Sequence, residues 1–174
     1  RNRVMLEWQK LLDPRAKTAK IFWENRTKST EVELTDKDKL TQFMVKDLAE
    51  GSYVFEVCTY DTHGNSSIMV EIPGTSYGDV YENLLFNTKV KTAVFKNNVL
   101  TVTFATSLET TFKGSEITYM SSEGKNKTVV LEAPETQIKI DDFAGDHITY
   151  RSIYLPEETA IDYFYSMSDD FEIN

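Results

Sequence analysis

Cysteine is scarce in this chain. One thiol, Cys58, stands among 174 residues, so no disulfide can form within the sequence. Cys58 lies in the apolar run 53–60, where a cysteine is typically a small buried strand residue. A nucleophilic role would need a base to activate the thiol, and no motif places a histidine for that purpose. The hydrophobic core must therefore hold the fold together.

Long apolar runs and positive charge are scarce as well. No apolar run approaches the roughly 18 residues that a membrane-spanning helix needs. Lysine and arginine total 19 against 28 aspartates and glutamates, which gives a net charge of −9. An acidic surface repels phosphate backbones, so we expect no nucleic-acid partner. Hydrophobic residues make up 40% of the chain, which is enough for a folded core.

Motifs for catalysis or cofactor binding are missing. The sequence contains no P-loop, dinucleotide fingerprint or nucleophile elbow. Its two histidines are far apart and no cysteine pair accompanies them, so no zinc site is expected. Acidic pairs at 141–142, 157–158 and 169–170 could bind calcium, but a solvated surface is the commoner explanation. We therefore predict that the chain is not an enzyme and has no cofactor or metal.

Both histidines are interpreted as turn residues. His63 lies in the loop 60–67, whose acid, hydroxyl and imidazole groups resemble a catalytic cluster. Neighbours on one loop do not form a triad with an oxyanion hole, however. Gly64 and Asn65 instead predict a hairpin turn with positive φ. His147 follows Gly145 and Asp146 at the corresponding strand entry of the second half.

Short β-type runs dominate the sequence. They are rich in β-branched and aromatic residues, alternate in polarity and are bounded by turn residues such as Glu50-Gly51 and Pro73-Gly74. The predicted strands are 4–8, 20–24, 30–34, 42–46, 53–60, 67–72, 89–95, 99–104, 116–120, 128–131, 137–140, 148–154 and 160–165. Such spacing predicts β-sandwiches of immunoglobulin or fibronectin-III type. The predicted fold is all-β, with two such domains in tandem.

The two halves repeat. Residues 41–51 align with residues 136–146, 95 positions later, with Thr, Gln, Asp and Ala identical. Trp23 aligns with Tyr119, and Trp8 aligns with Phe104 after a one-residue slip. A repeat of this length is typical of one sandwich domain. We place the first domain with its connector at 1–86 and the second domain at 87–174.

The repeat also predicts that one strand is missing. The second half has a strand at 89–95 before its 99–104 strand, whereas residues 2–4 already align with residues 97–99. The first strand of the first domain would lie upstream of Arg1 or be supplied by another segment, which predicts an incompletely paired edge. The connector 77–86 is apolar, and its spacing suits one helical turn. An apolar connector is expected to be buried between domains.

Aromatic side chains are the candidate binding groups. Trp8 and Trp23 share faces with aliphatic residues and are predicted to lie in the core. Four other rings occupy positions where alternation allows an outward face, and exposed flat rings favour glycan stacking or a protein contact. These weak candidates are Phe22, Tyr60, Tyr154 and Tyr163.

The segments 2–8, 20–23, 53–55, 64–66 and 77–81, together with Asp61, resemble a family of Bacteroidetes cell-envelope lipoproteins known as a domain of unknown function. The resemblance is strongest over residues 2–86. It implies tandem fibronectin-III-type modules tethered by an N-terminal lipidated cysteine, which would lie upstream of this chain. Some relatives carry domains that resemble carbohydrate-binding modules, and the family has no established catalytic residues.

Three functions follow as expectations. The first is a non-catalytic binding or scaffold module at the periplasmic or outer-membrane surface, with a glycan as ligand. The second is a protein-interaction or spacer module that positions another domain or envelope protein. The third, a small hydrolase, would need a deep cleft that holds carboxylates with shifted pKa values.

Overall fold

The computed structural model describes residues 1–9, 15–35 and 40–173. The chain forms two compact units, Arg1–Gly78 (unit 1) and Asp79–Asn174 (unit 2). Each unit has its own hydrophobic core. The division falls after Gly78, so the segment 79–86 is grouped with unit 2, whereas the sequence prediction grouped it with the first domain.

Unit 1 packs a two-stranded sheet, in the order β1-β4, with a four-stranded sheet in the order β3-β2-β5-β6. All of its strand pairs are antiparallel. The strands are β1 (Val4–Gln9), β2 (Ala16–Trp23), β3 (Lys28–Glu33), β4 (Leu40–Val45), β5 (Gly51–Asp61) and β6 (Val70–Ser76).

The core of unit 1 follows from the alternation of its strands. Leu6, Ile21 and Phe55 are fully buried at 0% exposure, while the residues beside them in sequence face outward or are only partly buried. Both tryptophans pack against this core, as predicted. Cys58 is buried and unpaired, which confirms its interpretation as a small strand residue.

Tyr53 closes the corner between β4 and β5. Its hydroxyl donates to the carbonyl of Ala49 at 2.9 Å, four residues upstream. This is the tyrosine-corner arrangement of β-sandwiches. The corner is therefore a stabilising contact of unit 1.

We expect Tyr53→Phe to lower the free energy of unfolding of unit 1 by about 1 kcal/mol, because one side-chain hydrogen bond is lost while the ring stays in place. Urea unfolding followed by tryptophan fluorescence measures this, since both tryptophans lie in unit 1. The matched control is Tyr163→Phe in unit 2, which should leave the transition unchanged. An equal shift in both variants would contradict the assignment.

Unit 2 repeats the arrangement with more strands. Its larger sheet runs β10-β9-β12-β13, with β14 also paired to β12, and its smaller sheet runs β11-β8-β7. A five-residue helix, α1 (Asp79–Asn83), precedes them. The strands are β7 (Val90–Lys96), β8 (Val99–Phe104), β9 (Phe112–Ser121), β10 (Asn126–Glu132), β11 (Gln137–Ile140), β12 (Phe143–Tyr154), β13 (Phe164–Tyr165) and β14 (Asp169–Glu172).

Strand pairing fixes the register of the repeat. Val4 pairs with Val45 in unit 1, and Leu100 pairs with Ile140 in unit 2. Because Val45 and Ile140 are repeat partners, β1 corresponds to β8 with Val4 matching Leu100. The predicted match of Val4 to Val99 is therefore wrong by one residue. In this register Trp8 matches Phe104 without a further shift. The one-residue slip that the sequence alignment needed at Trp8 is therefore already present at Val4, the start of β1.

Three predicted elements differ from the structure. Pro73 and Gly74 were predicted as a turn but lie inside β6, an edge strand where proline is tolerated. A Cβ at Gly74 would come within 2.7 Å of Val4 Cγ1, so the two sheets approach closely there. His147 is a residue of β12 rather than of a turn. The predicted last strand at 160–165 is reduced to β13, and β14 follows it.

The connector forms the predicted helical turn as α1. Tyr81 packs edge-on against Phe164 of β13, with ring centroids 5.2 Å apart. Val80, Leu84 and Phe86 are, however, exposed at 66%, 67% and 80%. The prediction that the apolar connector is buried is therefore wrong for these three side chains.

Candidate functional site

The outer face of the β3-β2-β5-β6 sheet carries two of the four candidate rings. Phe22 on β2 pairs with Glu56 of β5, and Tyr60 on β5 pairs with Thr18 of β2. Side chains two residues apart on a strand share one face, so both rings lie opposite the core. Both are half-buried. We call this surface, formed by Phe22, Tyr60 and the residues between them, the aromatic face.

Lys20 and Cys58 form the rung between the two rings. The Lys20 ammonium lies 5.3 Å from the centroid of the Phe22 ring, within the range of a cation–π contact. A hydrogen bond with the Cys58 side chain raises the pKa of the Tyr60 hydroxyl, which therefore stays protonated at neutral pH. The centre of the aromatic face thus combines an apolar ring, a cation and a phenol.

An ion pair borders the aromatic face beside Phe22. Arg26 donates to both carboxylate oxygens of Glu56, from Nε at 2.8 Å and from Nη2 at 2.7 Å. Arg26 has φ 63°, in the turn that joins β2 to β3. The hydrogen bond with Arg26 lowers the pKa of Glu56. An exposed pair of this kind contributes little stability, but its two-point geometry holds both side chains in place.

A polar cleft opens at the other end of the aromatic face, next to Tyr60. Its volume is about 350 Å³. The lining includes Arg15, Thr59, Tyr60, Asp61, Asn65 and Ser66. This mixture of a ring, a carboxylate, an amide and hydroxyls can stack on one face of a sugar and hydrogen-bond to its edge.

The loop after β5 orders the carboxylate of that cleft. Asp61 Oδ1 accepts from the backbone amides of His63 and Asn65 at 2.8 and 2.9 Å, and Oδ2 accepts from Asn65 Nδ2 at 2.8 Å. Hydrogen bonding by the Asn65 side chain lowers the pKa of Asp61, so the carboxylate is ionised at neutral pH. Gly64 has the predicted positive φ of 81°. The prediction of positive φ is wrong for Asn65, which instead stabilises the turn through its side-chain hydrogen bond to Asp61. His63 is thus a loop residue, as predicted.

The other two candidate rings lie in unit 2 and do not join the aromatic face. Tyr154 is 5% exposed, packs edge-on against Phe112, and donates its hydroxyl to the carbonyl of Phe86 at 2.7 Å. The prediction of an outward Tyr154 is therefore wrong, because Phe112 covers the end of β12 where Tyr154 lies. Tyr163 is 54% exposed, just before β13.

The acidic pairs do not assemble into a metal site. Within residues 1–9, 15–35 and 40–173, no group of three His, Cys, Asp or Glu side chains has the geometry to hold a metal ion. Asp142 instead accepts from the Tyr119 hydroxyl at 2.7 Å and from Lys127 Nζ at 2.6 Å. The hydrogen bond with Lys127 is the main reason why the pKa of Asp142 is lowered. Asp170 accepts from the Thr149 hydroxyl across β12 and β14.

Within the described residues, no helix is long and apolar enough to cross a bilayer.

His147 forms an exposed pair with its neighbour. Its Nδ1 lies 2.6 Å from Asp146 Oδ1, and this hydrogen bond raises the pKa of the imidazole. We expect the NMR titration midpoint of His147 to lie above that of an unperturbed histidine and to fall in Asp146→Asn. The hydrogen bond with Asp146 favours the charged imidazole of the folded protein. Its contribution to folding stability is therefore present while the imidazole is protonated and is lost as pH rises through the folded-state pKa. An unchanged midpoint in the variant would contradict the pairing.

Comparisons with known proteins place the chain in context. The family model DUF4998, described as a domain of unknown function, matches residues 1–164. No curated protein sequence matches the chain. Among solved structures, the chicken CNTN1 FN1-FN3 domains are similar, with TM-score 0.50 and 15% identity over 99% of this chain and 60% of that one. A two fibronectin type-III domain segment from chicken tenascin matches with TM-score 0.38 and 12% identity over 98% of this chain and 92% of that one.

The similarity to the CNTN1 domains concerns the fold alone, because only 15% of residues are identical. The predicted fold class, all-β with two fibronectin-III-like sandwiches in tandem, is confirmed. The predicted resemblance to a family of unknown function is confirmed at that level. The chain spans 60% of the length of the CNTN1 structure, so nothing about that protein's activity or partners carries over.

Proposed function

Since the chain belongs to the DUF4998 family, whose description names no activity, we propose from its fold and surface that it is a non-catalytic binding module that captures glycans at the cell envelope. The observation that carries the proposal is the placement of Phe22 and Tyr60 on one sheet face beside a polar cleft. The envelope location and lipid anchor are part of the proposal and rest on the resemblance of segments 2–8 and 77–81.

The aromatic face matches what a sugar ring presents. The axial C–H groups of a pyranose stack on a flat ring, while its hydroxyls need donors and acceptors at the edge. Tyr60 supplies the ring at the mouth of the cleft, and the ionised Asp61 carboxylate is held in place by three hydrogen bonds. A binding site built this way needs no general acid, nucleophile or metal.

Calorimetric titration of the chain with a panel of neutral and acidic oligosaccharides tests the proposal. We expect at least one class to bind and Tyr60→Ala to weaken it by roughly tenfold, which corresponds to about 1.4 kcal/mol. Tyr163→Ala is the matched control, because it removes an exposed ring from the other unit. Absence of binding across the panel would refute glycan capture, and so would equal losses in the two variants.

A protein-interaction or spacer role is the second candidate. Apolar side chains are exposed at the start of β6, with Ile68 at 87% and Val70 at 49%. Neighbouring exposed apolar residues favour a protein contact. Chemical cross-linking in envelope extracts should then capture a partner through this edge, and a Val70→Lys variant should lose it. Capture that is insensitive to this substitution would argue against the role.

A further inference from the structure

The features of the aromatic face lie along one line. The polar cleft opens beside Tyr60, the rung of Lys20 and Cys58 follows, and Phe22 comes next. Arg26 ends the line, in the turn between β2 and β3. Polar groups at both ends, with a ring next to each, make this surface an extended track rather than a single pocket.

The two rings are spaced too widely for one sugar. Phe22 pairs with Glu56 and Tyr60 pairs with Thr18, so the two rungs are four residues apart on each strand, from 18 to 22 and from 56 to 60. At about 3.3 Å per residue along a strand and about 4.8 Å between strands, the backbone positions of the two rings are about 14 Å apart. Single bonds of about 1.5 Å give a pyranose with its linking oxygen a length of about 5 Å. One pyranose therefore cannot stack on both rings.

A hydrogen bond fixes the direction of the Tyr60 side chain. It joins the hydroxyl to the side chain of Cys58, two residues earlier on the same face of β5. The ring therefore lies along the sheet and leans toward Phe22, which brings the two rings to roughly 10 Å from each other. Cys58 is only 3% exposed, in agreement with a ring that covers it. A ring lying flat on a sheet presents its face to solvent, the orientation that stacking needs.

Lys20 is the movable group of this track. Its ammonium lies 5.3 Å from the centroid of the Phe22 ring, so a sugar that stacks on that ring displaces it. A cation–π contact on a surface is weak, and the four-carbon stem of lysine is flexible. The displaced ammonium keeps its three hydrogen-bond donors, which can reach the hydroxyls of a sugar chain between the two rings.

We propose that the aromatic face binds one extended oligosaccharide chain of about three or more units, with one unit on Tyr60 and another, about two units further along, on Phe22. This inference rests on the proposed glycan capture and specifies the length of glycan that the face selects. A monosaccharide or disaccharide reaches only one ring, and Tyr60 beside the cleft is its expected position. In a longer chain the second stacking contact forms within the same ligand, so it strengthens binding without another association step.

Calorimetric titration of the chain with cello-, malto-, manno- and chito-oligosaccharides, each from the monosaccharide to the hexasaccharide, tests the length. In a series that binds, we expect affinity to rise at least tenfold between the disaccharide and the tetrasaccharide. Equal affinity for these two members overturns the inference and leaves glycan capture standing. Failure of every series to bind overturns glycan capture and this inference together.

Two substitutions at Phe22 test the second stacking position. Phe22→Leu keeps an apolar side chain without a flat ring, and should weaken the tetrasaccharide about tenfold while leaving the disaccharide unchanged. Phe22→Tyr keeps the ring and should retain both affinities. Tyr60→Leu should weaken both lengths, and tryptophan fluorescence of each variant confirms that unit 1 is folded. Equal tetrasaccharide affinity in the two Phe22 variants, or an equal loss for both lengths in Phe22→Leu, overturns the inference.

Discussion

Phe55→Ala is expected to lower the free energy of unfolding of unit 1 by about 3–5 kcal/mol. Phe55 is fully buried at 0% exposure in the middle of β5. Its ring lies 5.7 Å from that of Tyr53 and 6.3 Å from that of Trp23. Truncation removes those contacts and leaves a cavity that two sheets cannot close by small movements. Urea unfolding followed by tryptophan fluorescence measures the effect, because Trp8 and Trp23 both belong to this core.

The neighbouring residue supplies the control for that substitution. Val54 points to the opposite side of β5 and is 56% exposed. Val54→Ala should change stability by less than about 1 kcal/mol, through strand propensity alone. Similar losses in the two variants would mean that the alternation of β5 is misassigned. A loss confined to Phe55→Ala supports the core as described.

Gly114→Ala is expected to destabilise unit 2 by an amount on the order of 4 kcal/mol, through two effects. Gly114 has φ 150°, which disfavours any side chain. A Cβ there would also come within 2.3 Å of the Leu131 carbonyl oxygen, a backbone atom that cannot move aside freely. Gly114 lies in β9 between Glu132 of β10 and Ile153 of β12, where the β9–β12 ladder is irregular. The substitution therefore disturbs two ladders at once.

Gly51 separates the backbone strain from the steric clash. Its φ is 147°, almost the same as that of Gly114, but nothing lies within 4 Å of the position of its Cβ. Gly51→Ala should therefore carry only the backbone strain, about 1–3 kcal/mol. NMR-detected urea unfolding, followed at Ile117 for unit 2 and at Ile21 for unit 1, compares the two. Equal losses would contradict the close approach of Leu131.

Alternation of polarity was enough to predict most of the fold. Val4, Leu6 and Trp8 fall on the core side of β1 because an alternating strand has one face to bury. The boundary of β6 was missed because Pro73-Gly74 has turn composition, and only the close approach of Val4 explains why glycine sits within a strand. β14 was missed because its sequence is mostly acidic and only Phe171 packs on the core.

The candidate site could be predicted in part. Alternation correctly gave Phe22 and Tyr60 an outward face, but the same reasoning failed for Tyr154, whose end of β12 is covered by Phe112. The Arg26–Glu56 pair joins residues 30 positions apart, and no local pattern reveals it. The cleft beside Tyr60 forms between the start of β2 and the loop after β5, so it exists only once the strands have paired.

The account places ligand binding on one face of one unit, and NMR mapping of a bound oligosaccharide tests that placement most directly. The ligand is the one identified by calorimetry, titrated into the isotope-labelled 174-residue chain. The account predicts that shifted amides cluster at residues 20–22 and 58–66, around Phe22, Tyr60 and Asp61, and that unit 2 is unaffected. Shifts centred on unit 2, or spread evenly over both units, would contradict it.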